Sequence, residues 1–357
     1  MATRDATWAY RNRFHEAFAR TYFRRFGEGL VSSVGVGTYL GDPTDAVDER
    51  YHEAIVEALE SGVNVLDTAI NYRCQRSERV VGRALADADV DREAVLVATK
   101  GGFVPFDGAR PDDPGAYVRE EYPEYADAFV RGNCIAPGYI DDQLDRSLAN
   151  LELDTVDLYY VHNPETQLEQ RDREAVYDEL EATFTRLEER AAAGDLRHYG
   201  VATWEALRVP DDHPSYLSLP ELVRRARAAS DAAGTTSTHL RAVQLPFNVR
   251  MADAFTVESH PGADGPQSAL WFAADAGLDV FTSASIMQGE LAEALPEAVS
   301  ARLEGDTDAQ RAINFARSAP GVTCSLVGTS TPDHVRENVA AGTFPPLGAD
   351  GFDTVFE

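Results

Sequence analysis

Lysine is almost missing from this chain. Of the 32 lysine and arginine residues among 357, only one, Lys100, is lysine. Positive charge is scarce overall: 60 aspartates and glutamates bring the formal net charge to −28. A surface this acidic repels phosphate backbones, which argues against a nucleic-acid partner. There are three cysteines, Cys74, Cys134 and Cys324. An odd count at wide spacing supplies neither a disulfide framework nor a zinc pattern, so no metal is expected. No apolar run approaches the ~18 residues of a membrane span, so no membrane partner is expected. The opening residues, MATRDATWAYRNRFHEAFAR, carry charge where a signal peptide would be apolar. These absences lead to the expectation of a cytoplasmic protein. What the chain does have is 44% hydrophobic and 9% aromatic residues, enough for a large core and too many for disorder.

The solitary lysine carries information. Whatever removed lysine elsewhere spared position 100. Lysine shifts its pKa readily and takes part in proton chemistry, whereas arginine stays charged. Lys100 is therefore singled out as a residue whose chemistry arginine does not supply.

Short β-branched runs alternate with longer helical stretches. Strands are expected at 31–38, 63–68, 95–101, 155–162, 198–203, 242–248, 279–285 and 324–329. Most are continuous apolar runs, as in strands buried on both faces. Each gap holds a helical pattern, such as AVDERYHEAIVEALESG stopping at Gly62 and YDELEATFTRLEERAAAG closing at Gly194. In SERVVGRALADA, Ser77 is the expected cap. Eight strands each followed by a helix specify a (β/α)8 barrel, a TIM barrel, in preference to an open α/β sheet.

One barrel domain over 1–357 is expected, with residues 1–20 as an extension and 342–357 as a tail. A weakly amphipathic stretch within 8–27 leads into YFRRFGEGLVSS, which reads as a β-hairpin turning at Gly27–Gly29. Residues 103–137 form an insertion after strand three, rich in Pro, Gly, Asp and Tyr, which would lie over the active-site face.

In barrel enzymes the chemistry sits at the C-terminal strand ends. Here those ends read Gly37-Thr38, Asp67-Thr68, Thr99-Lys100, His162, Thr203, Gln244 to Asn248, Ser283 to Ser285, and Gly328-Thr329-Ser330. Asp67, Lys100 and His162 are titratable groups on three successive strands, and Tyr72 follows Asp67 by five residues. A carboxylate beside a lysine keeps the lysine charged, and a charged lysine lowers the pKa of a nearby tyrosine. Such a tyrosine can donate a proton to a carbonyl oxygen, with histidine holding the same oxygen by a hydrogen bond. Each residue also has a plain structural reading: Asp67 as a cap, Tyr72 as a loop aromatic, His162 as a core histidine.

These segments give the chain a family resemblance: it resembles the aldo-keto reductases. The match runs through GVGT (35–38), GVNVLDTAINY (62–72), SERVVGRAL (77–85), VATKGG (97–102), DDQLDRSLANLELDTVDLYYVHNPE (141–165), YGVATW (199–204), VQLPFN (243–248) and VGTSTPDHVRENVAA (327–341). The hairpin resembles the one that closes the bottom of that barrel. The resemblance implies a catalytic tetrad of Asp67, Tyr72, Lys100 and His162. It implies hydride transfer between a nicotinamide and an aldehyde, ketone, alcohol or sugar, with tyrosine as proton donor. It also implies NADPH or NADH contacts from Gly37, Thr38, Asp67, Thr203, Gln244, Ser283, Ile286, Gln288, Gly328, Thr329, Ser330, His334, Arg336, Glu337 and Asn338. Tyr39, Phe103 and Trp204 would line the substrate side. The acidic, lysine-poor composition resembles salt-adapted members of the haloarchaeal kind.

Several positions depart from the family pattern. Strand five ends Ala202-Thr203 rather than Ser-Asn, and Ser283 stands where a stacking tyrosine is usual. Gly328-Thr329 replaces a Lys-Ser pair, and His334 stands near a usual arginine, with Arg336 two residues on. Fixed positive charge for a 2′-phosphate is thereby reduced, which raises NADH or dual use. The insertion tyrosines Tyr117, Tyr122 and Tyr125 are candidates to wall an apolar substrate or stack on a sugar, and Phe344, Phe352 and Phe356 of the tail are candidates to shape the pocket. Cys74 reads as an inert thiol. The partner is a small carbonyl or sugar, and the state is a monomer or small homo-oligomer. Two other readings stay open: a nicotinamide-binding redox sensor or partner subunit with little turnover, and an isomerase using Asp67, Lys100 and His162.

Overall fold

The computed structural model describes residues 1–348, 351, 352 and 355. Twelve strands occur among them: β1 Phe23–Phe26, β2 Gly29–Ser32, β3 Val34–Gly37, β4 Val65–Asp67, β5 Leu96–Gly101, β6 Val156–His162, β7 Leu196–Ala202, β8 Leu240–Pro246, β9 His260–Gly262, β10 Gly265–Gln267, β11 Asp279–Ser283 and β12 Val322–Gly328. Eight of them, β3 to β8 with β11 and β12, close into a parallel barrel in the order β11-β12-β3-β4-β5-β6-β7-β8. Helices α1 Arg4–Phe14, α2 Asp45–Glu60, α3 Arg76–Asp87, α4 Pro114–Glu121, α5 Pro137–Leu151, α6 Arg173–Ala193, α7 Leu219–Ala233, α8 Ala269–Asp275, α9 Asp308–Ser318 and α10 Pro332–Ala340 account for the longer helical segments.

Strand alternation builds two cores. Along β5, Leu96 and Ala98 point into the barrel, whereas Val97 joins the layer between strands and helices. The same parity puts Val65, Leu158, Ala202, Ala242, Phe281 and Leu326 inside and Leu66, Tyr159, Val201 and Val243 outside. Side chains two apart on a strand share a face, so the next inward positions upward are fixed by this pattern. The β1–β2 hairpin supplies Phe26 and Val31 to the interior cluster. The Phe26 ring meets Phe281 edge-on at 5.8 Å, which closes the bottom of the barrel.

Three local details differ from the sequence reading. The first helix begins at Arg4, where Thr3 caps it by accepting from the Ala6 amide. Ser77 does not cap α3. That helix starts one residue earlier after a left-handed Gln75, and Ser77 Oγ donates instead to Thr38 O at 2.8 Å. A second hairpin, β9–β10, inserts before α8, where turn residues of the HPGADGPQ run separate two very short strands.

The segment 103–137 has its own small aromatic core. Tyr122 and Tyr139 are buried, with Phe106, Tyr117, Tyr125 and Phe129 packed against them. Of this segment, only Phe103 and Arg131 line the cleft described below. Tyr122 and Tyr125 therefore pack on Tyr139 of α5, and Tyr117 on Tyr122, rather than against that cleft. In the tail, Phe352 is buried and stacks near Phe247 and Phe315, Phe344 is half-buried, and Phe356 lies outside the described residues.

Candidate active site

The inward parity of the strands delivers one polar residue each to the top of β4, β5, β6 and β8. Asp67, Lys100, His162 and Gln244 are two residues above Val65, Ala98, Tyr160 and Ala242, all interior residues. Lys100 Nζ donates to Asp67 Oδ1 at 2.5 Å and to Thr68 O at 2.8 Å. Gln244 Nε2 donates to Asp67 Oδ2 at 2.8 Å. Lys100 and Asp67 are 0% and 4% exposed. Burial pushes the Asp67 carboxyl above its ordinary range and the Lys100 amine below its own, and their mutual attraction opposes both shifts.

Tyr72 leaves the loop after β4 and sits half-buried, with Lys100 Nζ 5.0 Å from its ring centroid. The His162 ring is 6.0 Å away and the Tyr39 ring 5.0 Å away. The four predicted tetrad residues are thus brought together. One expectation is corrected: the net shift of the Tyr72 pKa is upward, Lys100 notwithstanding. Burial, with the charge of Asp67 and the neighbouring Tyr39, pushes that phenol well above 10. The ammonium faces the ring, and the Asp67 charge it neutralises lies close by. His162 is pushed well below 6.5 by burial and by the Lys100 charge, so its imidazole is neutral at neutral pH. Its Nδ1 is buried without a partner.

The loop holding Tyr72 is strained. Arg73, Cys74 and Gln75 lie in the left-handed region at φ of 48°, 56° and 68°. Each such non-glycine residue costs roughly 1–2 kcal/mol. Gln75 is fixed by Nε2 donating to Pro105 O at 3.0 Å and by Oε1 accepting from Asn150 at 3.1 Å. The Cys74 thiol is half-buried and its pKa is raised by burial, which suits an inert group.

The other predicted positions divide into groups. Gly37, Thr38, Thr203, Ser283 and Gly328 share the rim, with Gly37 in register with both Asp67 and Gly328. A Cβ on Gly37 or Gly328 would make only ordinary van der Waals contact, nothing closer than 3.7 Å, so the protein itself crowds neither position. The Thr203 hydroxyl is buried without a partner. Ile286 and Gln288 lie in a reversal with left-handed Ala284, Met287 and Gln288. Asn338 Nδ2 donates to Thr329 Oγ1 at 2.9 Å, linking α10 to the end of β12, and Ser330 follows it. His334, Arg336 and Glu337 face outward from α10, and Arg336 is already paired with Glu57 at 3.0 Å and with Asp333 at 2.5 Å.

Beside His162 opens a cleft of about 440 Å³, lined by Phe103, Glu165, Glu169, Trp204 and Glu205 among others. The Phe103 ring is 5.0 Å from His162. Trp204 and Tyr39 are 45% and 57% exposed, unusual for large apolar side chains. Among the described residues, no group of three or more His, Cys, Asp and Glu side chains could hold a metal ion, and no helix is long and apolar enough to cross a membrane.

Two features went unseen in the sequence. Asp48, on α2, is buried and takes both Arg73 and Arg76. Its signal was an acid on the apolar stripe Val47, Tyr51, Ala54, Ile55 and Ala58 of that helix. Glu165 is 7% exposed and accepts the Trp204 amide at 2.6 Å and the Glu205 amide at 3.1 Å, holding the cleft wall.

Known proteins share this architecture. The chain is 23% identical over 318 residues to an uncharacterised oxidoreductase, YqkF, of Bacillus subtilis, with 87% of each chain covered. It is 24% identical to a putative voltage-gated potassium channel subunit beta of Schizosaccharomyces pombe, covering 90% of this chain and 88% of that one. Among solved structures, an aldo/keto reductase of Klebsiella pneumoniae in complex with NADP and acetate superposes with a TM-score of 0.64 at 18% identity, covering 94% of each chain. The aldo-keto reductase AKR11C1 of Bacillus halodurans gives 0.64 at 21% identity, covering 94% of this chain and 96% of that one. The sequence profile of the aldo/keto reductase family matches residues 33–211, half of the chain, and the chain belongs to that family.

Proposed function

We propose that the protein is a nicotinamide-dependent oxidoreductase that reduces aldehydes or ketones to alcohols, or oxidises the corresponding alcohols and sugars. The observation that carries this reading is the buried Lys100–Asp67 pair next to the Tyr72 ring, with the His162 imidazole beside it.

The rim fits a nicotinamide nucleotide. The unpartnered Thr203 hydroxyl, and the uncrowded Gly37 and Gly328, where a Cβ would make only ordinary contact, support such a ligand. Gly37, Thr38, Asp67, Thr203, Gln244, Ser283, Ile286, Gln288, Gly328, Thr329, Ser330, Glu337 and Asn338 would hold it. The NADP in the Klebsiella structure supports the same reading. When bound in its reduced form, the nicotinamide supplies a hydride.

The chain's own groups do the rest. Neutral His162 donates a hydrogen bond to the substrate oxygen and stabilises the negative charge that develops there. Tyr72, kept protonated by its raised pKa, gives its proton to that oxygen. Lys100 stabilises the phenolate left behind, and Asp67 with Gln244 fixes Lys100 in place. Phe103, Trp204 and Tyr39 exclude water and orient a small carbonyl or sugar.

Arg336 and His334 are the predicted positions that would meet an extra phosphate, and Arg336 is engaged by two carboxylates. That favours NADH or dual use over strict NADPH use. The −28 charge supports a salt-adapted enzyme.

Fluorescence titration with NADH and NADPH in molar salt, followed by absorbance decay with a panel of aldehydes, ketones and sugars, tests the reading. Binding with consumption that disappears in Tyr72→Phe supports it; full turnover by Tyr72→Phe overturns it. The fission-yeast relative named as a channel subunit favours a second reading, a nicotinamide sensor. Tight binding without consumption in either direction would select it.

A further inference from the structure

Tyr72 is held by a strained turn, and something must hold the turn. Arg73 is that anchor: its side chain is 1% exposed, and Nη2 pairs with Asp48 Oδ1 beneath the loop after β3. Arg73 Nε donates to Asp42 O at 3.3 Å and Nη2 to Thr44 O at 3.4 Å, both on that loop. The guanidinium lies 5.1 Å above the Tyr51 ring. Tyr51 itself donates to Leu40 O at 2.8 Å. The other Asp48 oxygen takes Arg76 Nε at 2.8 Å, from the first turn of α3. One buried carboxylate thus grips the first residue of the left-handed stretch 73–75 and the residue that follows it. The loop tied down by Arg73 also carries Tyr39, whose ring rests 5.0 Å from Tyr72.

We propose that Asp48 and Arg73 are positioning residues for Tyr72. They force Arg73, Cys74 and Gln75 to stay left-handed and lock the loops after β3 and β4 together, so that the Tyr72 hydroxyl is aimed at the substrate oxygen. Only the Arg73 fork reaches Asp48 and two carbonyls at once; lysine lacks that geometry. Without the clamp the turn relaxes toward right-handed backbone and carries Tyr72 with it. The inference rests on Tyr72 being the proton donor.

The test uses the full chain in molar salt, with para-nitrobenzaldehyde and saturating NADPH or NADH. Asp48→Asn keeps shape and removes the charge. Its kcat falls by about tenfold or more, while cofactor Kd, read by fluorescence, moves by less than about twofold, as expected when a reacting group is misplaced. Arg73→Lys shows the same split. In a Tyr72→Phe background, Asp48→Asn leaves the residual rate unchanged, because its target is gone. Adding Cys74→Gly to Asp48→Asn restores at least about threefold of kcat, since glycine accepts the left-handed conformation freely. A purely structural role for Asp48 predicts no such rescue.

Wild-type kcat in a folded Asp48→Asn, or equal losses in the wild-type and Tyr72→Phe backgrounds, overturns the positioning role while leaving Tyr72 intact. Full activity in Tyr72→Phe alone overturns the proton-donor reading, and the clamp with it. If Asp48→Asn does not fold, Arg73→Lys and its combination with Cys74→Gly decide by the same criteria.

Discussion

Gln244 donates to the Asp67 oxygen that Lys100 leaves free. One buried carboxylate is therefore saturated from β5 and from β8, strands that are not neighbours in the barrel. The carboxylate is an internal cross-tie as well as part of the proposed catalytic group.

Lys100→Met leaves the Asp67 charge buried without a counter-charge. It should destabilise the fold by about 3–5 kcal/mol, as for other broken buried pairs. The Asp67→Asn/Lys100→Met double variant should recover most of that loss, because no charge remains to be buried. Urea denaturation at fixed molar salt measures both. Equal stability of the single and double variants would contradict the pairing.

The pH profile should be flat across the neutral range. Tyr72 is shifted up from 10, so its protonated, proton-donating form persists into strongly alkaline solution. His162 is shifted down from 6.5, so its neutral form persists into mildly acidic solution. For carbonyl reduction, kcat should show no limb between about pH 7 and 9. An acidic limb near 6.5 that vanishes in His162→Gln would mean that His162 is less desolvated than its surroundings indicate.

How much of this was readable beforehand varied by residue. Asp67, Lys100 and His162 stood out because they are titratable residues at the C-terminal ends of successive strands, where a barrel places its chemistry. The lone lysine marked its strand independently. The clamp did not stand out, because Asp48 looks like any surface acid until α2 is rolled so that Val47 and Tyr51 face inward. The direction of the Tyr72 shift was misjudged for a related reason. The sequence shows which charges accompany Tyr72, but not the desolvation that outweighs them, which depends on how walls such as Tyr39 close in. The insertion tyrosines were similarly ambiguous, since their partner Tyr139 lies on a helix beyond the loop.

A second titration concerns stability. Glu188, 0% exposed, accepts from Tyr199, Thr238 and His239, including His239 Nδ1 at 2.5 Å. Burial would raise its pKa, but those donors prevail and hold it below 4.5. The hydrogen bond to Glu188 raises His239 above 6.5. The His239 contribution is present in full below 6.5 and fades as pH rises through its folded value, whereas the Glu188 contribution fades only in acid. Tm should therefore decline with pH above 6.5, and His239→Gln should flatten that slope. An unchanged slope would show that the pair is uncoupled from folding.

Salt should matter twice. At −28, carboxylate repulsion weakens the fold at low salt; screening contracts from ~10 Å at 0.1 M to ~3 Å at 1 M, so Tm should rise between them. Arginine hubs oppose that repulsion locally. Arg225, with its side chain 6% exposed, meets Glu174, Asp178, Glu181 and Glu221. Arg225→Lys cannot bridge all four and should lower Tm by roughly 1–2 °C, about 1 kcal/mol in a chain of this size. A Tm indifferent to both salt and this substitution would sink the salt-adaptation reading.

The single lysine has one more consequence. Aldehydes condense with free amines to form imines, and on most proteins exposed lysines are the commonest targets. Here the only lysine side chain is 0% exposed beside Tyr72, and every other basic side chain of the lysine–arginine pair is a guanidinium, protonated at any physiological pH. Under the proposed activity on aldehydes, the protein presents its substrates with no side-chain amine on its surface. Apart from its terminal amine, its exterior offers no amine for imine formation with them.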